Sequence, residues 1–347
     1  MAEADTDAGG QGRGNRALWA VLGLFWNREE RRLRALWRLA LAVVFFGVLS
    51  IAIGVAFRLL AIRSVLLTAL PPAVPESSAL VVLRVLSLFV TAIGATLAVW
   101  VGTRFLDRRP LADLGVGVDR GWWLDFAFGL ALGAALMTAI FLIELAAGWI
   151  TVTSLVANPL GAGVGIELLA AVVLFLAVGI YEELAFRGYL LTNAAEGLTG
   201  VPLLTPRRAI VLATVLTAGL FGAAHANNPN ATLLSTVTVA FAGVFLAAGY
   251  VLSGDLSIPI GLHVTWNLVQ GTVFGFPVSG TALGTSVIRV RQGGPPTLTG
   301  GAFGPEAGLL GLSAMVLGTI AIAAWVRVRY GTTGLHPGVA VPELRWR

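Results

Sequence analysis

Eight apolar runs of roughly 18 to 25 residues, the length that crosses a hydrocarbon core about 30 Å thick, restrict this chain to a narrow choice of folds. They lie near 37–61, 80–103, 123–149, 166–192, 209–226, 231–252, 257–277 and 306–327. Hydrophobic residues make up 57% of the sequence and charged residues 12%, with a mean hydropathy of +0.86, outside the soluble globular range. The expected fold is all-α: a polytopic membrane protein with about eight transmembrane helices. The fifth and sixth runs are separated only by Asn227, Asn228, Pro229 and Asn230, strong turn formers that predict a tight antiparallel hairpin.

The polar segments set the remaining organisation. Residues 1–16 read as a disordered tail with no cleaved signal peptide, and 17–36 as an interfacial amphipathic helix in which Trp19, Leu22, Phe25 and Trp26 adjoin Arg28, Arg31, Arg32 and Arg34. Residues 37–330 form the transmembrane domain, with a core at about 165–275, and 331–347 a C-terminal tail. The net charge of +5 comes from 23 arginines and no lysine. The arginines cluster in alternate loops: the N-terminal group, Arg104 to Arg120, Arg207 with Arg208, and Arg327 with Arg329. Opposite them stand only Arg58, Arg63, Arg289 and Arg291. This bias predicts an integral protein of the cell membrane with both termini cytoplasmic, and it points to membrane lipid and not to nucleic acid as the partner. The absence of cysteine excludes thiolate nucleophiles and disulfides. No internal repeat is visible, which weighs against a transporter built from inverted repeats.

Charge within the apolar runs is expensive and marks function. Arg84, Asp125, Glu144 and Glu167 have structural explanations, lying where a side chain can reach the interface. Glu182, Glu183 and Arg187 do not. Residues four apart share a helical face, so Glu183 and Arg187 can pair while Glu182, about 100° around, stays free to exchange a proton. Two further pairs have the same spacing, Phe221 with His225 and His263 with Asn267. Counted at 1.5 Å per residue from the inner boundary, Glu182 lies about 15 Å deep, His263 about 12 Å, and Asn267 and His225 about 18 Å. One carboxylate, two imidazoles and a carboxamide at one level can carry peptide hydrolysis. Glu182 with His225 would activate water, while His263 and Asn267 would donate to an oxyanion. Glu182, His225 and His263 are also a donor set for zinc or another divalent metal, and metal-bound water is the alternative nucleophile. A non-catalytic immunity or scaffold protein and a transporter are the competing functional classes.

In order and on separate spans, Glu182-Glu183-x-x-x-Arg187, Phe221-x-x-x-His225 and His263-x-x-x-Asn267 resemble the CPBP intramembrane proteases, also called Abi. That family includes type II CAAX prenyl proteases and bacteriocin-processing proteins. Tyr181, Gly188, Pro259 and Gly261 are similar to flanking family positions. The resemblance implies that Glu182, His225, His263 and Asn267 are catalytic and that Glu183, Arg187 and Phe221 support them. It implies a membrane-embedded peptide or a prenylated protein as substrate, and it leaves both metal-dependent and metal-free chemistry open.

Overall fold

A computed structural model describes residues 22–66, 76–157 and 163–344. Among them, seven helices are long and apolar enough to cross a membrane: Ala35–Ala56, Phe89–Leu106, Arg120–Ala146, Val164–Thr199, Pro206–Ala224, Leu233–Ser253 and Leu309–Tyr330. We number the helices α1 (Ala35–Leu66), α2 (Glu76–Val101), α3 (Arg120–Ala146), α4 (Val164–Glu183), α5 (Thr192–Thr199), α6 (Pro206–Ala224), α7 (Leu233–Ser253), α8 (Ser257–Leu268) and α9 (Leu309–Tyr330). A π-helical stretch, Leu184–Leu191, joins α4 to α5, and a second, Val269–Val273, continues α8.

The polytopic helical fold stands, with one correction. The run expected to span the membrane at 257–277 is α8, 12 residues long, with a π-helical extension that ends at Val273. Residues Ser257 to Val264 are all buried. Hydropathy reports that a side chain avoids water, not whether its neighbour is lipid or protein, and a helix apolar all round belongs in the interior. Glycines let α3 and α8 approach backbone to backbone. A Cβ on Gly129 would lie 2.3 Å from the Ile258 carbonyl oxygen, and one on Gly261 2.3 Å from that of Phe126.

Helix starts follow from local chemistry. Asp119 accepts from the Trp122 N–H, Thr205 precedes Pro206 at the first position of α6, and Thr232 and Ser235 form a capping box on α7. The Asn227–Asn230 turn delivers the expected antiparallel hairpin, in which Gly222 packs on Ala240 and Gly243 on Ala218.

Two elements depart from the expected pattern. Residues 22–25 are helical, but the expected interfacial helix does not continue to 36. The chain turns over in a short hairpin of β1 (Trp26–Asn27) and β2 (Arg32–Leu33). The other is an antiparallel pair between β3 (Ile150–Ala157) and β4 (Ser286–Gln292). It is tethered where Glu144 accepts from Gln292 (3.1 Å) and Glu167 from Thr285 (2.6 Å). Glu144, Glu167 and Asp125 are therefore buried hydrogen-bond acceptors; Asp125 receives the Trp325 indole at 2.7 Å. The side chains of Arg58, Arg63 and Arg84, and residues 1–21 and 345–347, lie outside the described residues. The tail at 331–344 packs back on the domain, with the His336 N–H donating to Val251 O at 2.7 Å.

At the end of the bundle where α1 and α3 begin, arginines read as orientation signals are partly structural. Arg32, Arg38 and Arg109 are 2%, 0% and 1% exposed and converge on Glu196. Asp107 lies 3.3 Å from Arg38 and accepts from Asn193, and Asp113 lies 3.3 Å from Arg109. Breaking a buried ion network from one side leaves uncompensated charge, at about 3–5 kcal/mol. Glu196→Gln should lower stability by that amount in a thermal melt of the detergent-solubilised protein. Arg207→Gln, at an exposed position, should stay within about 0.5 kcal/mol.

Candidate active site

The three motifs meet at one cavity of about 630 Å³, lined by Tyr181, Glu182, Phe221, His225, His263 and Asn267 among mostly apolar side chains. Glu182 and Glu183 end α4, so their carboxylates diverge around the helix. Glu183 is fully buried, and its Oε1 receives both Arg187 Nη1 and His263 Nδ1, each at 2.8 Å. Arg187 Nη2 donates to the Gly243 carbonyl at 3.1 Å, and its guanidinium lies 4.5 Å from the centroid of the Phe221 ring. The expected pair forms, and its carboxylate also orients a histidine that sequence reasoning assigned to a different role. Phe221 supports the site as the π face beneath Arg187 and as the hydrogen-bond partner of His225.

Glu182 keeps its other environment. Tyr181 donates to its Oε1 at 3.0 Å, and its Oε2 stands 3.9 Å from His263 Nε2. That separation exceeds a direct hydrogen bond. His225 is the residue after α6, and its Nδ1 is 2.7 Å from the Phe221 carbonyl oxygen. A carbonyl only accepts, so Nδ1 carries the proton and a neutral ring presents a lone pair at Nε2. His263 Nδ1 likewise gives its proton to Glu183, so His263 Nε2 can donate only when the ring is an imidazolium. Asn267, one turn along from His263, lines the same cavity, and its side chain makes no hydrogen bond among the described residues.

The zinc set expected from sequence is not assembled: among the described residues no three His, Cys, Asp or Glu side chains gather closely enough to hold a metal ion. Both Nδ1 atoms of the two histidines are occupied by protein acceptors. Nε2 of each ring is the nitrogen left for a ligand, and His263 Nε2 stands 3.9 Å from Glu182 Oε2.

Sequence reasoning missed Glu306. It is buried and lines the cavity, with its Oε1 2.6 Å from the Ser279 N–H and its Oε2 accepting from Gln270. Its sequence signal was its isolation, as the one acid between Asp255 and Glu343. Burial pushes its carboxyl up to about 7, opposed by the hydrogen bonds from Ser279 and Gln270.

Residues 164–269 match the family described as Type II CAAX prenyl endopeptidase Rce1-like. The uncharacterized protein YyaK of Bacillus subtilis (strain 168) is 29% identical over 174 residues, 49% of this chain and 54% of that protein. The chain thus spans about half the length of this curated relative. No solved structure matches the chain significantly. The matched segment is the one that carries all three motifs, and the match agrees with the resemblance read from those motifs.

Glu306 yields a signed pH dependence. Its folded value, near 7, lies above the ordinary 4.5, so between those values the folded chain holds the extra proton and stability falls as pH rises. The thermal midpoint should drop between about pH 5 and about pH 8, and Glu306→Gln should flatten that drop. An unchanged slope in the variant would assign the dependence to another group.

Proposed function

We propose that the protein is an intramembrane endopeptidase that hydrolyses a peptide bond of a membrane-embedded or lipidated substrate, with CAAX-type C-terminal processing within that class. The observation that carries this reading is the convergence of Glu182, His225, His263 and Asn267 on one cavity, with Glu182 Oε2 and His263 Nε2 3.9 Å apart. The Rce1-like match at 164–269 supports it independently.

In the proposed reaction, Glu182 Oε2 takes a proton from water as its oxygen attacks the scissile carbonyl carbon, with His225 Nε2 as a second acceptor on the water. The carbonyl π pair moves to oxygen, and the oxyanion is met by the Nε2–H of His263 in its imidazolium form and by the Asn267 amide. Collapse breaks the C–N bond while the protonated Glu182 returns its proton to the leaving nitrogen. Tyr181 holds Glu182 Oε1, which fixes which oxygen works. Glu183, itself held by Arg187, orients the His263 ring.

Glu182→Gln and His225→Ala should each lower cleavage at least about 10²-fold, the usual contribution of a positioned acid–base group. Asn267→Ala should cost about 10²- to 10³-fold in kcat. Membrane accumulation and thermal midpoint, measured alongside, separate chemistry from folding. Full cleavage by Glu182→Gln would overturn the assignment of Glu182, and the absence of cleavage by the unaltered protein together with a cellular function that survives Glu182→Gln would favour a scaffold or immunity role. Direct activation of water also requires that activity survive dialysis against a chelator. Loss restored by zinc would replace it with metal-bound water on Glu182, His225 and His263.

The arginine bias supports an orientation with the α1 and α3 starts and the C-terminal tail on the cytoplasmic side.

A further inference from the structure

A second cavity, of about 590 Å³, lies beside the one that holds Glu182 and His263, and Leu283 lines both. One wall is β4 with Arg289 and Arg291, and Phe276, Pro277 and the loop at 282–284 supply much of the rest. Gly271, Gly275, Gly284, Gly294 and Gly301 also line it, so backbone forms part of its surface. Among the described residues, no Asp or Glu lines it.

Alternate residues of a strand share a face, so Arg289 and Arg291 project side by side, about 7 Å apart along β4. Arg289 Nη2 donates to the Gly284 carbonyl at 3.1 Å, and Arg291 makes no hydrogen bond or ion pair among the described residues. Two guanidiniums on one wall of an acid-free cavity concentrate positive potential there. Their planar forks fit the oxygens of a phosphate, each able to bond two of them.

The surroundings favour lipid as the source of that phosphate. α3 runs 27 residues from Arg120 to Ala146, about 40 Å, against a hydrocarbon core of about 30 Å. β3 starts at Ile150, so the β3–β4 sheet stands at headgroup level, at the end opposite Arg120. Trp149, of a residue type that favours that level, packs on Gly294 of the cavity wall, where a Cβ would lie 2.5 Å from its own Cβ. Val152, Leu155, Val156 and Val287 are exposed on the sheet beside the arginines. A soluble anion would match the arginines and leave these four side chains in water; a phospholipid covers both.

We propose that this cavity binds the phosphodiester of an anionic phospholipid headgroup, held between Arg289 and Arg291. The site is separate from the Glu182 cavity and does not depend on the peptidase reading.

The test uses the full-length protein, delipidated in detergent, with phosphatidylglycerol, phosphatidylcholine or inorganic phosphate added. Bound adducts are counted by native mass spectrometry, and the thermal midpoint is followed alongside. Phosphatidylglycerol should bind and raise the midpoint, with phosphatidylcholine and inorganic phosphate much weaker. Arg289→Gln/Arg291→Gln should weaken phosphatidylglycerol roughly 30-fold, at about a tenfold factor or slightly less for each cation near an anionic headgroup. Arg207→Gln/Arg208→Gln, at exposed positions on the other end, should leave it unchanged. Should the double variant fail to accumulate, Arg291→Gln alone carries the test, because that guanidinium holds no protein partner among the described residues. Undiminished phosphatidylglycerol binding by the Arg289 and Arg291 variants overturns the site. Equal binding of phosphatidylcholine overturns selection by anionic charge, and inorganic phosphate matching phosphatidylglycerol overturns lipid as the source.

Discussion

The structure depends on a carboxylate with two partners. Glu183 is fully buried, and one of its oxygens receives Arg187 from its own helical segment and His263 from α8. The same guanidinium reaches the α7 backbone at Gly243 and covers the Phe221 ring on α6. Four segments of the chain are thereby held in one register by two charges. Taking those charges out of water costs several kcal/mol each, and well-packed apolar residues could fill the space at no loss of stability. A charged solution is favoured where geometry matters more than stability. What it fixes is the plane of the His263 ring and which nitrogen faces the cavity.

That constraint explains why two adjacent glutamates act so differently. A one-residue step on a helix turns a side chain by about 100°, enough to separate a sealed interior from a cavity wall. Glu183 has its charge consumed in the interior. Among the described residues the Glu182 carboxylate meets a phenol and a more distant imidazole nitrogen, and it lines the cavity. Tyr181 orients Glu182 and Glu183 orients His263, so in the proposed hydrolysis these two groups would be set before substrate arrives.

Glu182–Arg187, Phe221–His225 and His263–Asn267 were legible in the sequence because helical spacing is local and charge in an apolar run is conspicuous. The Glu183–Arg187 pair forms as spacing requires. The link from Glu183 to His263 was not legible, since it joins residues 80 apart in sequence. Glu306 was missed for the same reason, as its partners Ser279 and Gln270 come from a loop and a π-helical turn that no periodicity announces. The α8 run read as a span because an apolar helix inside a membrane protein and one facing lipid have the same composition. Arg32, Arg38 and Arg109 read as topology signals when their position also serves a buried ion network, one residue type answering to two physical demands.

The proposed hydrolysis requires water in a cavity whose walls are mostly apolar, with its polar groups gathered at a few positions. On the arginine-rich side Arg32, Arg38 and Arg109 are buried around Glu196. Toward the opposite face, Asn228, Ser279 and Glu306 line the way to His225 and Asn267. The Asn228 amide ties the α6–α7 turn to the rim through Ser279 O at 3.1 Å, and Glu306 holds the same rim from α9's approach through the Ser279 N–H. Ser279 is thus pinned from both sides, with its backbone at a φ of 47°, a left-handed conformation that a serine adopts only when its surroundings hold it there. The cavity rim at Ser279 is thus held rigidly, and burial raises the carboxyl of Glu306, which braces it, to about 7.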